Sequence, residues 1–169
     1  MSVFKLSNKL FRISLQVLLA LLILMAIRAT IQRDVVSGAA PMITDQLLDG
    51  TPVSLAQFRG APVLVHFWAS WCGICRLEEQ SINAIAKDHA LLGIAMQSGD
   101  NEDIIAYLKE QGLSFPVVSD PHGRIASSYG IKGVPASFIL DADGDIRFVE
   151  LGYSTEAGLR FRLWLASWI

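Results

Sequence analysis

Cys72 and Cys75 are the only cysteines in a chain of 169 residues, and two residues separate them. Paired thiols at that spacing can pass two electrons by opening and closing a disulfide. They stand where a very apolar run, Val63-Leu64-Val65-His66-Phe67-Trp68-Ala69, gives way to a charged helical pattern opening Arg76-Leu77-Glu78-Glu79. A strand that ends in C-x-x-C and turns into a helix puts the first sulfur at the helix N-terminus. Unpaired N–H groups and a partial positive charge favour the thiolate there, and the thiolate is the reactive form. Cys72 therefore reads as the attacking thiol and Cys75, one turn on, as the resolving thiol. Two other uses fit the pair less well. A structural bridge closing so short a loop removes little unfolded-state entropy. A structural zinc site takes about four ligands, and the chain adds only three scattered histidines. No metal and no prosthetic group is expected, because the two thiols themselves carry the electrons.

The length allows one ordinary domain plus an appendage. The formal net charge is −2, and no basic stripe points to nucleic acid. Lys5, Lys9 and Arg12 precede an apolar run from Ile13 to Ile27 that Arg28 closes. A cleaved signal peptide would show the same basic and apolar regions, but Ile27-Arg28-Ala29 is a poor cleavage site and Gly38-Ala39-Ala40 lies far downstream. A soluble core helix would be amphipathic, and this run is apolar on nearly every face. The expectation is an uncleaved membrane anchor over 13–28, with flanking arginines snorkelling to reach the required span of about 17–25 residues. The basic excess keeps residues 1–12 in the cytoplasm. A linker over 29–41 then leads to a folded domain over 42–169 outside the cytoplasm.

Within that domain, Asp49-Gly50 between apolar patches signals a hairpin. Leu55 to Arg59 reads as one short helical turn. Val63 to Ala69 and Ala90 to Met96 read as strands buried on both faces. The Cys72 helix is expected to run to about Asp88, with Leu77, Ser81, Ala84 and Ile85 facing inward. Asp100 or Asn101 can cap a helix over 102–111 that Gly112 ends. A short extended piece spans 115–119, and a helical segment runs from Pro121 to Tyr129. Strand Ala136 to Leu140, the turn Asp141-Ala142-Asp143-Gly144 and strand Ile146 to Glu150 follow. That acidic turn lacks the spacing of a calcium loop and reads as a hairpin. Thr155 opens a last helix whose Leu159, Leu163 and Ala166 face in. The order implies an α/β fold with a mixed sheet between helices.

These residues resemble the thioredoxin fold, and more closely its membrane-anchored extracytoplasmic branch of TlpA-, ResA- and CcmG-like proteins. The suppressor-of-copper-sensitivity D type is the nearest match. The resemblance rests on the run from Val63 through Trp71-Cys72-Gly73-Ile74-Cys75, on Gly133-Val134-Pro135, and on the Asp-Gly hairpin. It implies a thioredoxin fold with an N-terminal hairpin and an inserted strand and helix between Ala90 and Gln111. Pro135 corresponds to the cis-proline facing the cysteines. With Val134 and Trp71 it would contact an extended substrate segment. Glu78 matches an acidic residue that exchanges a proton with the cysteine pair; by spacing alone Glu79 is as well placed. His66 stands where thioredoxin has a buried aspartate, and serves either as a proton relay or as a satisfied core histidine. Gln80 replaces a helix-kinking proline, so a straighter helix is expected. Ile74 alters the dipeptide that tunes reduction potential.

The implied activity is that of a protein disulfide oxidoreductase of the inner membrane with a periplasmic catalytic domain. Its substrates would be protein disulfides or thiols, cytochrome c maturation among the settings. A transmembrane donor of the DsbD or copper-sensitivity B type would re-reduce it. Reduction is the preferred direction, and oxidation uses the same atoms. Two rivals are a peroxidase on the same fold, disfavoured because Ala69 stands where that class has threonine, and a copper chaperone in which His66 or His122 would have to join the sulfurs.

Overall fold

The structure, a computed structural model, describes residues 12, 15–23, 25 and 35–168. The chain divides into two units, Met1–Val35 and Val36–Ile169. In the first unit residues 15–23 are helical and their apolar side chains are exposed. Among the described residues, no helix is long and apolar enough to cross a membrane. The span expected over 13–28 lies partly outside them, as do residues 1–11 and 26–34.

The second unit is built on a six-stranded sheet. Its strands are β1 (Gly38–Ala39), β4 (Val63–Trp68), β5 (Ala90–Met96), β6 (Val117–Asp120), β7 (Ala136–Leu140) and β8 (Asp145–Leu151), in the order β1-β8-β7-β4-β5-β6. Strands β4, β5 and β6 are parallel, whereas β7 and β8 join antiparallel. A separate hairpin, β2 (Thr44–Gln46) with β3 (Pro52–Ser54), forms around the expected Asp49-Gly50 turn. The helices are α1 (Gly73–Arg76), α2 (Glu79–Ile85), α3 (Asn101–Gln111), α4 (Arg124–Ser128) and α5 (Glu156–Ala166), with one 3₁₀ turn over Leu55–Phe58.

Alternation along the two central strands decides what lies on each face. In β4, Leu64 and Trp68 join a core with Ile82 and Ile85 of α2, Ile104 and Leu108 of α3, and Leu159 and Leu163 of α5. On the opposite face, Phe67 packs with Phe138 of β7 and with Tyr129, which follows α4. His66 falls on the Leu64–Trp68 side, and the antiparallel register sets it opposite Ser137. Its parallel neighbour is Gly93. A side chain there would meet the Phe115 ring at 2.8 Å, which explains a glycine in mid-strand.

Local signals hold at most element ends. Asp100 caps α3 in a reciprocal box with Asp103, and Gly112 ends it in the left-handed region at φ 67°. Thr155 caps α5, whose Leu159, Leu163 and Ala166 are buried as expected. Four expectations need correction. Sheet pairing begins before Met42, because Gly38–Ala39 bonds to β8 at Ile146 and Asp145. The helix after Cys72 is not continuous to Asp88. Leu77 and Glu78 donate their N–H groups three residues back, to Ile74 and Cys75, rather than four. That tightened turn separates α1 from α2 without any proline, so Gln80 does not straighten the helix. Leu77 is also not an inward residue, being 72% exposed. The inward stripe is Cys75, Glu78, Ile82 and Ile85, a regular helical spacing that includes a carboxyl.

Candidate active site

Cys72 and Cys75 are joined in a disulfide at the start of α1. Cys72 is the helix cap, with extended backbone, and its Sγ accepts the Cys75 N–H at 3.2 Å. An N–H aimed at that sulfur stabilises it when it carries charge. The Val134–Pro135 peptide bond is cis, and the Val134 carbonyl oxygen lies 3.6 Å from Cys72 Sγ. The expected neighbours of the cysteine pair are therefore brought together. The Pro135 carbonyl, in turn, accepts the Gly152 N–H at 2.9 Å, tying in the loop that leads to α5.

Exposed apolar side chains flank the cysteines along the chain. Trp71, Ile74 and Leu77 are each more than half exposed on the cysteine segment, and Tyr153 is exposed in the loop after β8. The Trp71 indole is fixed, because its Nε1 donates to the Gln97 carbonyl at 3.0 Å. Gln97 adopts φ 49°, the one positive φ outside glycine among the described residues. Beside it, buried Ser98 accepts the Ser70 N–H through Oγ at 3.1 Å. Gln97 and Ser98 escape a sequence reading, since a backbone carbonyl 26 residues from Trp71 and a hydroxyl 28 residues from Ser70 carry no motif.

Beneath the disulfide lie two buried ionisable groups. Glu78 is 1% exposed and His66 2%, so Glu78 is more deeply placed than its spacing implied. Glu78 Oε2 accepts the Ser154 N–H at 2.7 Å. Its Oε1 lies 3.8 Å from His66 Nε2. On the far side of the ring, His66 Nδ1 is 2.9 Å from Ser137 Oγ. Burial raises the Glu78 carboxyl to about 7, against the pull of the Ser154 N–H. Burial pushes the His66 imidazole down to about 3. Both groups are therefore neutral at mildly acidic pH, with the shared proton on the carboxyl. Glu79, as well placed by spacing, accepts the Tyr107 hydroxyl at 2.8 Å. Ser137 and Ser154 carry no motif; only strand register and the β8–α5 loop bring them here. Among the described residues, no group of three or more histidine, cysteine or acidic side chains is gathered to hold a metal.

Residues 36–149 match the AhpC/TSA family. Over 161 residues the chain is 32% identical to a thioredoxin-like protein of Haemophilus influenzae, covering 94% of this chain and 96% of that one. It is 32% identical over 109 residues to the thiol-disulfide oxidoreductase ResA of Bacillus thuringiensis, covering 62% of each chain. The crystal structure of a thiol:disulfide interchange protein of the thioredoxin family from Chlorobium tepidum superposes with a TM-score of 0.68 at 28% identity. That superposition covers 79% of this chain and 98% of the other. The bridged cysteines at a helix start are the groups that a thiol–disulfide exchange activity requires. The chain belongs to the AhpC/TSA family and is a thioredoxin-like thiol–disulfide oxidoreductase.

Proposed function

We propose that this oxidoreductase reduces protein disulfides outside the cytoplasm while tethered by its N-terminal segment. The observation that carries the redox chemistry is the capped sulfur. Cys72 Sγ receives the Cys75 N–H and faces the Val134 carbonyl, at a helix start flanked by exposed apolar side chains. In the reduced protein, Cys72 thiolate attacks a substrate disulfide and one substrate sulfur leaves as a thiolate. Cys75 then gives up its proton and attacks Cys72 Sγ. The mixed disulfide breaks, the second substrate sulfur leaves, and two electrons have passed to the substrate. Trp71, Val134 and Pro135 hold an extended substrate segment against the sulfurs, and Glu78 receives the Cys75 proton. A membrane dithiol donor of the DsbD or copper-sensitivity B class resets the pair.

Location rests on the basic residues ahead of an apolar run, Ile13 to Ile27, and direction on the resemblance to the ResA- and CcmG-like branch. Labelling intact cells with a small membrane-impermeant alkylating reagent tests both. Modification of Cys72 without lysis is expected, because a reductase is held reduced and its domain is outside. Labelling only after lysis would contradict the placement. Labelling only after added reductant would mean that the pair is held oxidised and works in the opposite direction.

A further inference from the structure

His66 and Glu78 are buried below the disulfide, from two different elements. Glu78 Oε1 has no hydrogen-bond partner, and the polar atom that faces it is His66 Nε2 at 3.8 Å. The other imidazole nitrogen is tied to Ser137 Oγ at 2.9 Å, by a register that pairs the two residues directly across β4 and β7. Ser137, His66 and Glu78 thus form a line from the central sheet to the turn that follows Cys75. His66 and Cys75 also share the lining of one small internal void, together with Trp68 and Glu79.

Neither end of this line is fixed as donor or acceptor. A hydroxyl does both, and a neutral imidazole carries one N–H and one lone pair whose places can exchange. When Glu78 is protonated, its O–H points to His66 Nε2 and the Nδ1–H donates to Ser137. When Glu78 is ionised, Nε2–H donates to Oε1 and the Ser137 O–H donates to Nδ1. With the Oε1–Nε2 contact closed to hydrogen-bond length, an exchange of tautomers would give each proton state of Glu78 a partner, without a charge on the imidazole. A buried carboxylate lacking such a donor would be destabilised. The 3.8 Å gap is about 1 Å beyond a hydrogen bond, so the contact must tighten when the proton moves.

We propose that His66, held by Ser137, is the positioning residue that lets Glu78 take up and return the Cys75 proton during disulfide exchange. This rests on the oxidoreductase reading and deepens it. In the resolving step the proton leaves Cys75 Sγ for Glu78. The resulting thiolate bonds to Cys72 Sγ, the bond from Cys72 to the substrate breaks, and the electron pair departs on the substrate sulfur. When a donor dithiol re-reduces the pair, Cys75 leaves as a thiolate and takes the proton back from Glu78. The other titratable groups around the pair are Cys72 and Cys75 above, and Glu79 across the void, bound to Tyr107 of α3. Arg76 of α1 also interacts with Tyr107. The loop after β8 presents the uncharged Ser154 N–H.

An aromatic disulfide mixed with the reduced full-length protein releases one coloured thiol when Cys72 attacks and a second when Cys75 resolves. The two phases are followed across pH. His66→Leu should leave the first phase unchanged and move the second-phase midpoint up by about one unit, roughly fivefold slower at pH 7 and about tenfold slower well below it. The rate at high pH should match the parent. Ser137→Ala should shift the midpoint in the same direction by less. His66→Gln, whose amide can donate and accept, should recover most of the lost rate. Second-phase profiles of Ser137→Ala and His66→Leu that superimpose on the parent would overturn the proposal. Equal slowing of both phases at every pH would also do so, since it marks a merely structural role. Should His66→Leu fail to fold, an unshifted Ser137→Ala profile overturns it alone. Loss of the first phase in the parent itself would instead count against the oxidoreductase reading.

Discussion

Among single residues, His66 and Glu78 make opposing contributions to how stability answers to pH. Burial raises the Glu78 pKa from 4.5 to about 7. The native state therefore keeps a proton that the unfolded chain releases, and stability present below pH 4.5 is lost as pH rises through 7. Burial lowers the His66 pKa from 6.5 to about 3. The native state there lacks a proton that the unfolded chain binds, so stability present above pH 6.5 is lost as pH falls through 3. The two slopes oppose each other and cancel between 4.5 and 6.5, where the pair contributes a plateau. Glu78→Gln removes only one slope. The variant should gain on the parent as pH rises from 4.5 to 7, by on the order of 3 kcal/mol at most, at about 1.4 kcal/mol per unit. Urea unfolding of both oxidised proteins across that window checks this. A constant difference between them would mean that Glu78 is ionised throughout.

At the level of elements, the cysteine-bearing turn is held from outside by the connection between β5 and α3. Gln97 supplies a carbonyl to the Trp71 indole, and Ser98 supplies a hydroxyl to the Ser70 N–H. Since Gln97 contributes backbone at φ 49°, glycine should serve better there. Gln97→Gly is expected to raise stability by up to about 1 kcal/mol and leave Cys72 reactivity unchanged. Ser98→Ala should lower stability by about 1 kcal/mol or more, because it strands a backbone donor. Thermal melts of both variants decide the matter, and a destabilised Gln97→Gly would show that the glutamine side chain itself is needed. The strands of the sheet were legible because buried parallel strands are near-continuous apolar runs, as Val63 to Trp68 and Leu91 to Met96 are. The break between α1 and α2 was not. Its inward stripe contains Glu78, and a search for apolar periodicity chooses Leu77 in its place.

For the whole molecule, the fold and the cysteine pair were readable from local motifs: Cys72-Gly73-Ile74-Cys75 after an apolar strand, Gly133-Val134-Pro135, and the Asp-Gly turn. The floor of the site was only half readable. Glu78 came from its resemblance to a family position, and the identity of its partner needed the sheet register that sets His66 opposite Ser137. Ser154 reaches Glu78 from 76 residues away, and no spacing rule encodes that contact. The central proposal is that Cys72 is the sulfur that attacks. Alkylation of the reduced protein as a function of pH, with each modified cysteine identified by peptide mass, tests it most directly. Cys72 should react first, with a midpoint below the free-thiol value of about 8.5. Preferential modification of Cys75, or a Cys72 midpoint at or above that value, would contradict the assignment.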